Sequence, residues 1–341
     1  MNTQKQLLRI EHVRQVNPWV RCFRLVSAEG KKLASFLPGQ YLNLFYEIDG
    51  TTTSRPYSIA SSPQDAEMGF YELYIHGGGP FTAAWLFRHG LEGTTIRASM
   101  PMGDFHHIAL RDGQKVIGIS GGMSVTPLHS MARAVAQGTL DVDLTLFCGW
   151  DSAEEVLFRD EFEQYMAQSP KFHAIFAIDG DGAQTDERGY VTLEMIRRHV
   201  APEGAAFFIC GPNTMYQPLA HELSPLNIPA EKYHQELPGE IKLLSDSCDA
   251  RTYILTVVLE GTRRQIPMNS QETVLVAMER AGLAPEARCR SGHCGFCIMK
   301  LEEGTISVPE MWDERTENEK QSGLIHPCCS FPCSDLYLSM P

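Results

Sequence analysis

Four cysteines near the C-terminus have the spacing of a metal-binding loop. Cys289, Cys294 and Cys297 follow a C-x4-C-x2-C pattern, and Cys328 comes later in the chain. Disulfides are rare in proteins that stay in a reducing compartment, and there closely spaced cysteines indicate metal or redox chemistry. Because the thiolate is the form of cysteine that binds metals, this segment is the first candidate for a chemical function.

The cysteine spacing is that of plant-type [2Fe–2S] ferredoxins. Gly292 and Gly295 lie inside the loop, where they allow backbone N–H groups to approach the sulfides of a cluster. Zinc is the competing metal, but structural zinc sites more often combine two C-x2-C knuckles. The spacing leaves the fourth ligand open among Cys328, Cys329 and Cys333. The resemblance to ferredoxins in the surrounding segment favours Cys328.

Two motifs in the first hundred residues are candidates for ligand binding. Arg55, Pro56, Tyr57 and Ser58 form an R-x-Y-S motif. Arginine suits a phosphate because its planar guanidinium donates two parallel hydrogen bonds. The second motif, residues 77–82, is Gly-Gly-Gly-Pro-Phe-Thr and precedes a helical stretch. Glycines before a helix N-terminus can bind a phosphate through backbone N–H groups and the helix dipole.

Two further motifs each follow a predicted apolar strand. Residues 121–127, Gly-Gly-Met-Ser-Val-Thr-Pro, lead from a strand into a helix. Thr126 is predicted to be the N-cap of that helix, and Pro127 suits its first turn. Cys210 begins a Cys-Gly-Pro segment at the end of another strand. Cys210 is therefore a candidate site residue, but a cysteine at the end of a strand can also be a buried structural thiol with no role in binding.

Acidic residues follow a strand of the same region. Asp151, Glu154 and Glu155 come shortly after the predicted strand at 144–148. A carboxylate can accept a hydrogen bond from the ribose 2′-hydroxyl of NAD, whereas the 2′-phosphate of NADP needs a nearby cation. If this segment contacts a dinucleotide, the sequence favours NADH over NADPH.

Taken in order, these motifs resemble the ferredoxin–NADP reductase superfamily. The resemblance is to its NADH-dependent flavin and [2Fe–2S] reductases, which include electron-transfer components of bacterial oxygenases and the reductase of hybrid-cluster protein. It implies an antiparallel flavin-binding β-barrel, a doubly wound parallel-sheet nucleotide domain and a β-grasp ferredoxin domain. The implied cofactors are FAD, with FMN as the alternative, NADH and a [2Fe–2S] cluster.

The resemblance also implies roles for individual residues. Arg55 would bind a flavin phosphate, Tyr57 would pack on the isoalloxazine and Ser58 would hydrogen-bond near its N5. Cys210 would lie beside the nicotinamide C4, and Glu236 would be the acidic residue that closes the active site. The catalytic candidates are thus Ser58, Cys210 and Glu236. The other implied cofactor contacts are Pro56, Tyr74, Ile75, His76, Gly79, Phe81, Thr82, Gly121, Gly122, Thr126, Pro127, Asp151, Gly211, Pro212 and Met215.

The elements that position these residues follow three patterns. Short alternating strands separated by turn residues fill residues 1–110, as in a small antiparallel barrel. Apolar strands alternate with helices over residues 111–235, which predicts a parallel sheet covered by helices. Residues 236–250 lack periodicity and are interpreted as a linker. A hairpin, a helix and the cysteine loop occupy residues 251–341, the predicted ferredoxin domain.

Charge and hydropathy exclude several partners. The chain has 29 Lys plus Arg against 42 Asp plus Glu, and its net charge is −13. This balance disfavours nucleic acids and anionic membranes, which both select basic surfaces. No apolar run approaches the roughly 18 residues of a membrane span, and the N-terminus has no signal-peptide core. A soluble, cytoplasmic protein is therefore expected.

The expected function is transfer of electrons from NADH through a flavin to a [2Fe–2S] cluster, and then to a partner protein such as an oxygenase component. Two alternatives remain open at this point. One is the same reductase serving hybrid-cluster protein, and the other is a non-catalytic redox-sensing module that keeps the cofactors. A subunit like the electron-transfer part of dihydroorotate dehydrogenase is disfavoured, because its fourth cysteine lies much closer to the other three.

Overall fold

The computed structural model describes residues 5–48, 50–78, 82–180, 185–237, 251–259, 261–283 and 285–340. The chain divides into two units, which are described separately. One unit comprises Met1–Leu42 and Tyr57–Pro238, and the other comprises Asn43–Pro56 and Gly239–Pro341. The predicted domain boundaries stay a prediction.

The N-terminal part of the chain forms a curled antiparallel sheet of six strands. Asn17 shapes its first hairpin, because the side-chain oxygen accepts hydrogen bonds from the N–H groups of Trp19 and Val20. The strand order is β4-β3-β6-β1-β2-β5. The elements are β1 (Lys5–Asn17), β2 (Val20–Ser27), β3 (Tyr41–Ile48), β4 (Thr51–Ser58), α1 (Pro63–Glu67), β5 (Phe70–His76), α2 (Thr82–His89) and β6 (Thr95–Ser99).

The middle of the chain forms a parallel sheet of six strands in the order β10-β9-β8-β7-β11-β12. Its four central strands are largely apolar, as expected for a sheet covered on both faces, and every residue of β11 is buried. The elements are α3 (Ala109–Asp112), β7 (Lys115–Gly121), α4 (Thr126–Ala136), β8 (Asp143–Trp150), α5 (Arg159–Gln168), β9 (Phe172–Ile178), β10 (Glu187–Arg188), α6 (Leu193–His199), β11 (Ala206–Cys210), α7 (Asn213–Leu223) and β12 (Tyr233–Glu236).

The C-terminal part of the chain forms a small mixed sheet with the order β14-β13-β19-β15-β17, beside the short pair β16-β18. Helix α8 covers the larger sheet with Val274, Ala277 and Met278. The elements are β13 (Thr252–Leu259), β14 (Thr262–Asn269), α8 (Val274–Arg280), β15 (Met299–Glu303), β16 (Ile306–Ser307), α9 (Glu317–Gln321), β17 (Leu324–Ile325), β18 (Phe331–Pro332) and β19 (Leu336–Ser339).

This architecture confirms the predicted fold class. The flavin-type sheet is curled into a half-barrel rather than a closed barrel. Strand β12 extends through Glu236, so the parallel sheet includes the first residue of the predicted linker. The remainder of that prediction, residues 238–250, lies outside the described residues. No helix in the described part of the chain is long and apolar enough to cross a membrane.

A buried histidine joins the two sheets of the first unit. His129 on α4 contacts the carbonyl oxygen of Ala60 through Nδ1 and the carboxylate of Glu161 through Nε2, each at 2.8 Å. Its ring stacks on Phe158 with 4.0 Å between centroids. Burial acts to raise the pKa of Glu161, but the hydrogen bond from His129 prevails and the pKa is lowered. The contact thus favours an ionised Glu161.

We expect His129→Leu to lower the free energy of unfolding by about 1–3 kcal/mol, because the acceptors on Ala60 and Glu161 lose their donor. Urea unfolding followed by circular dichroism measures this change. His173 is exposed on β9, so His173→Leu is the matched control and should change the free energy by less than about 0.5 kcal/mol. Equal effects of the two substitutions would refute a stabilising role for His129.

Candidate functional site

A cavity of about 790 Å³ lies at the carboxyl ends of the parallel strands. Strands β7 and β11 are neighbours, and the chain order runs outward from them in opposite directions. Ligands of such sheets bind outside this reversal point, at the carboxyl ends of the strands. Of the residues predicted to contact the nucleotide, the cavity wall contains Gly121, Gly122, Asp151, Gly211, Pro212 and Met215.

The turn after β7 is shaped by two glycines. Gly122 has a φ of +54°, in the left-handed region that favours glycine. A Cβ atom on Gly121 would lie 2.7 Å from the Cδ of Pro212, so the turns after β7 and β11 can approach only with glycine at this position. The two predicted nucleotide motifs therefore meet at one edge of the sheet.

The prediction that Thr126 caps α4 is wrong. A 3-10 turn over Gly122–Val125 precedes the helix, and Val125 is its N-cap, without a side-chain hydrogen bond. Thr126 is already helical, and its hydroxyl donates to the carbonyl oxygen of Met123 at 3.3 Å. Pro127 lies in the first turn as expected. The backbone of the 3-10 turn, rather than a threonine side chain, thus leads into the helix.

The three catalytic candidates are not among the residues that line the cavity, but they lie at one end of the site, next to Gly211 of the cavity wall. There Glu236 contacts both Ser58 and Cys210. Cys210 and Glu236 are direct neighbours in the parallel register of β11 and β12. The Cys210 thiol donates to the Glu236 carbonyl oxygen at 3.4 Å, and the Ser58 hydroxyl lies 3.4 Å from Oε2 of Glu236. Glu236 therefore contacts residues that lie 26 and 178 positions away from it in the sequence.

Burial keeps the acidic groups at this end of the site neutral. It raises the pKa of the Glu236 carboxyl to about 8, against an opposing hydrogen bond with Ser58. Burial and the nearby Glu236 also raise the pKa of the Cys210 thiol. At neutral pH, Cys210 is therefore a thiol rather than a thiolate nucleophile, and Glu236 holds a proton that it can share with a hydrogen-bonding ligand.

The residues predicted to contact the flavin have different surroundings. The Tyr57 hydroxyl lies 3.4 Å from the Thr82 hydroxyl, at the start of α2. Tyr74 and Ile75 are buried, and the Tyr74 hydroxyl accepts a hydrogen bond from Arg14 at 2.8 Å. His76 lines the nucleotide cavity. Arg55 is described with the second unit below, Pro56 is half-buried, and Gly79 and Phe81 lie outside the described residues.

The four predicted cluster ligands are linked by contacts between their thiols in the second unit. The thiol of Cys289 interacts with those of Cys294 and Cys328, and Cys297 interacts with Cys328. Within the described part of the chain, no three metal-binding side chains are placed to hold one metal ion. Four cysteine thiolates are the donor set of a [2Fe–2S] cluster, so these residues fit that group by their chemistry.

The loop backbone is adapted to these cysteines. The N–H groups of Ser291 and Cys294 donate to the Cys289 sulfur at 3.4 and 3.3 Å. Gly292 has a φ of +81°, and a Cβ atom there would lie 2.5 Å from the Trp312 carbonyl oxygen. Backbone donors of this kind stabilise thiolate ligands, so the donor set fits the predicted cluster.

Cys329 has different neighbours from the four predicted ligands. Its thiol lies 3.4 Å from the carbonyl oxygen of His326, toward which it donates. Cys328 contacts two of the three loop cysteines, Cys289 and Cys297, whereas Cys329 contacts Cys328. Cys333 is exposed. Of the three candidates for the fourth ligand, the geometry favours Cys328.

The domain families match the three parts of this architecture. Residues 7–107 match the oxidoreductase FAD-binding domain, residues 119–220 the oxidoreductase NAD-binding domain, and residues 257–333 the 2Fe-2S iron-sulfur cluster binding domain. The chain belongs to the ferredoxin reductase superfamily. It is a flavin- and iron–sulfur-dependent oxidoreductase of that superfamily, with domains for FAD, NAD and a [2Fe–2S] cluster.

Two relatives that cover nearly the whole chain are reductase subunits of monooxygenases. The chain is 28% identical to the glycine betaine monooxygenase reductase subunit of Pseudomonas aeruginosa, over 98% of this chain and 95% of that one. It is 24% identical to the carnitine monooxygenase reductase subunit of Escherichia coli, over 95% and 94% of the two chains. The structure of phthalate dioxygenase reductase has the same fold, with a TM-score of 0.73, 20% identity and 98% of both chains covered.

Several residues of the site escaped the sequence motifs. Tyr216 donates to the Glu236 carbonyl oxygen at 2.6 Å and accepts from the Gly211 N–H at 3.0 Å. It directly follows the Cys210–Met215 motif, so extending that motif by one residue would have included it. Trp19 and Tyr190 also line the cavity, but their sequence positions carry no signal of this.

We expect Glu236→Gln to remove a pH dependence from flavin reduction by NADH. As the pH rises through about 8, Glu236 loses its proton, and the new charge disfavours delivery of negative charge as hydride. The wild-type rate should therefore fall above pH 8, whereas the glutamine variant should show no such fall. Anaerobic stopped-flow measurements between about pH 6 and 9.5 compare the two.

Glu231→Gln is the matched control for this experiment, since Glu231 is exposed and lies two residues before the start of β12. Its pH profile should follow that of the wild type. An unchanged decline in Glu236→Gln would show that another group titrates.

Proposed function

We propose that this oxidoreductase uses NADH and passes electrons through FAD and its [2Fe–2S] cluster to an oxygenase component. The observation that carries this proposal is the contact of Glu236 with Ser58 and Cys210, next to Gly211 of the cavity wall, in a chain that also gathers four ferredoxin-type cysteines. When bound, the flavin would accept a hydride and release its electrons singly, and the cluster would take them up one at a time.

The chain's own residues bind and orient the nucleotide. The 3-10 turn at Gly122–Val125 and the start of α4 present backbone N–H groups beside the cavity, which suits a pyrophosphate. The turn after β7 lies close to the turn after β11, because Gly121 has no side chain that would clash with Pro212. Cys210 then lies at the end expected for the nicotinamide ring, and its neutral thiol adds no charge there.

Ser58 and Glu236 are proposed to position the flavin ring and to hold a proton beside it. Ser58 provides a hydroxyl next to the protonated carboxyl of Glu236. Arg55 is proposed to bind a flavin phosphate through its planar guanidinium. In the first unit, Tyr57 and Thr82, whose hydroxyls lie 3.4 Å apart, are proposed to contact the flavin. None of these groups has to act as a nucleophile.

The charge of the cavity supports NADH rather than NADPH. Asp151 and Glu155 are exposed at the end of β8, and Glu222 lies on another part of the wall. Among the described residues that line this cavity, none is Lys or Arg. An additional phosphate dianion would meet carboxylates instead of a cation.

We expect the double substitution Asp151→Asn and Glu155→Gln to reduce the preference for NADH over NADPH by about ten-fold, or about 1.4 kcal/mol. The cause is removal of two negative charges that repel the 2′-phosphate. Steady-state kcat/KM values for both nucleotides measure the preference. Glu154→Gln is the control, because Glu154 is exposed and is not among the described cavity-lining residues. A wild-type protein that uses both nucleotides equally would contradict the assignment.

The cluster ligands are proposed to be Cys289, Cys294, Cys297 and Cys328. Cys294→Ser should abolish electron transfer to cytochrome c through the cluster while leaving flavin reduction by NADH at its normal rate. Iron content, the electron paramagnetic resonance signal and stopped-flow flavin absorbance check the three parts of this expectation. Cys333→Ser is the control and should retain the cluster, since Cys333 is exposed. Loss of the cluster in the control would overturn the ligand assignment.

The proposed acceptor is an oxygenase component, because the relatives named above are reductase subunits of oxygenase systems. No observation favours hybrid-cluster protein or a sensing role over this acceptor. The direct test is the anaerobic visible spectrum before and after a substoichiometric amount of NADH. Bleaching of flavin and iron–sulfur bands by NADH, and much less by NADPH, is expected. A spectrum that neither nucleotide changes would refute the proposed function.

A further inference from the structure

Glu279 on α8 is a buried carboxylate shared by two segments that are far apart in the sequence. From the cluster loop, Arg290 donates to both carboxylate oxygens, each at 2.8 Å. From β4, the Thr53 hydroxyl donates to Oε1 at 2.9 Å. Thr53, Glu279 and Arg290 are all less than a tenth exposed. The three residues belong to the same unit of the fold.

Arg55 of the R-x-Y-S motif is also a neighbour of Glu279. Thr53 and Arg55 are two residues apart on β4 and therefore point to the same face of the strand. The closest guanidinium nitrogen of Arg55 lies 3.7 Å from Oε2 of Glu279, beyond hydrogen-bond distance. Arg55 instead donates to the Thr53 hydroxyl and to the Ser54 carbonyl oxygen. Glu279 is thus bound tightly by Arg290 and loosely by Arg55.

The tight pair restrains the residue that follows the first cluster cysteine. Arg290 has a φ of +58°, an unfavourable conformation for a residue with a side chain. Such a conformation persists only when its surroundings fix it, and the two parallel hydrogen bonds to Glu279 do so. The ion pair and the conformation of the loop beside Cys289 therefore depend on each other.

We infer that Glu279 couples cluster assembly to flavin binding, by pairing with Arg290 when the cluster loop is formed and with Arg55 when it is not. This inference rests on the proposed role of Arg55 in binding a flavin phosphate. With the loop formed, Arg290 occupies both carboxylate oxygens, and Glu279 does not compete with the phosphate for Arg55. With the loop disordered, Glu279 loses that partner, pairs closely with Arg55 and competes with the phosphate. Glu279 acts as a positioning residue in this scheme.

The test is the dissociation constant for FAD, measured by fluorescence titration of flavin-free full-length protein. Each variant is titrated with its cluster intact and after removal of the iron with a chelator. For the wild type, we expect FAD to bind at least about five-fold more tightly when the cluster is present. In Glu279→Gln the neutral side chain does not compete for Arg55, so the two dissociation constants should be equal.

A second pair of variants keeps the test valid if Glu279→Gln does not fold. Thr53→Val removes the hydroxyl that contacts both Glu279 and Arg55 but leaves the pair with Arg290 intact, and it should reduce the wild-type ratio. Thr53→Ser should restore it. Glu272→Gln is the control. Glu272 lies before α8 and pairs with the exposed Arg280 at the end of that helix, so this variant should keep the wild-type ratio.

The outcomes separate this inference from the proposed function. Equal dissociation constants for the wild type with and without its cluster would overturn the coupling, even if the protein is an active reductase. The same ratio in the wild type and in Glu279→Gln would show that the coupling does not pass through Glu279. No FAD binding to the wild type in either state would instead refute the proposed function.

Discussion

The parallel register of strands β7, β11 and β12 is the constraint on which the nucleotide site depends. It places Ser120 beside Cys210, and Cys210 beside Glu236, at the same edge of the sheet. The turns that follow β7 and β11 can then meet only because Gly121 has no side chain. A shift of the register of β11 by one residue would turn the Cys210 side chain to the opposite face of the sheet and break its contact with Glu236.

The acidic groups in and beside this cavity differ in their electrostatics. Beside the cavity, next to Gly211 of its wall, burial holds Glu236 and the Cys210 thiol in their neutral forms, which suits contact with uncharged rings. In the cavity wall itself, Asp151 and Glu155 are exposed to solvent. The same residue type, a carboxylic acid, can therefore hold a proton or present a negative charge, because burial penalises only the ionised form.

Buried charged and polar contacts organise both units. In the first unit, His129 joins Ala60 near the antiparallel sheet to Glu161 on a helix of the parallel sheet. In the second unit, Glu279 joins Thr53 to Arg290 beside the cluster ligands. Such groups are costly to bury unless all partners are present, so each contact restricts the arrangement of the segments that it links.

The sequence by itself determined the order of the domains, the strand–helix alternation and the cysteine, glycine and R-x-Y-S motifs, because these depend on local spacing and chemistry. Only the tertiary structure decided that Val125 rather than Thr126 caps α4, and that Trp19 and Tyr216 belong to the site. The contact of Glu279 with Thr53 joins positions 226 residues apart. No local pattern encodes such a contact, because it forms only when separately folded segments pack together.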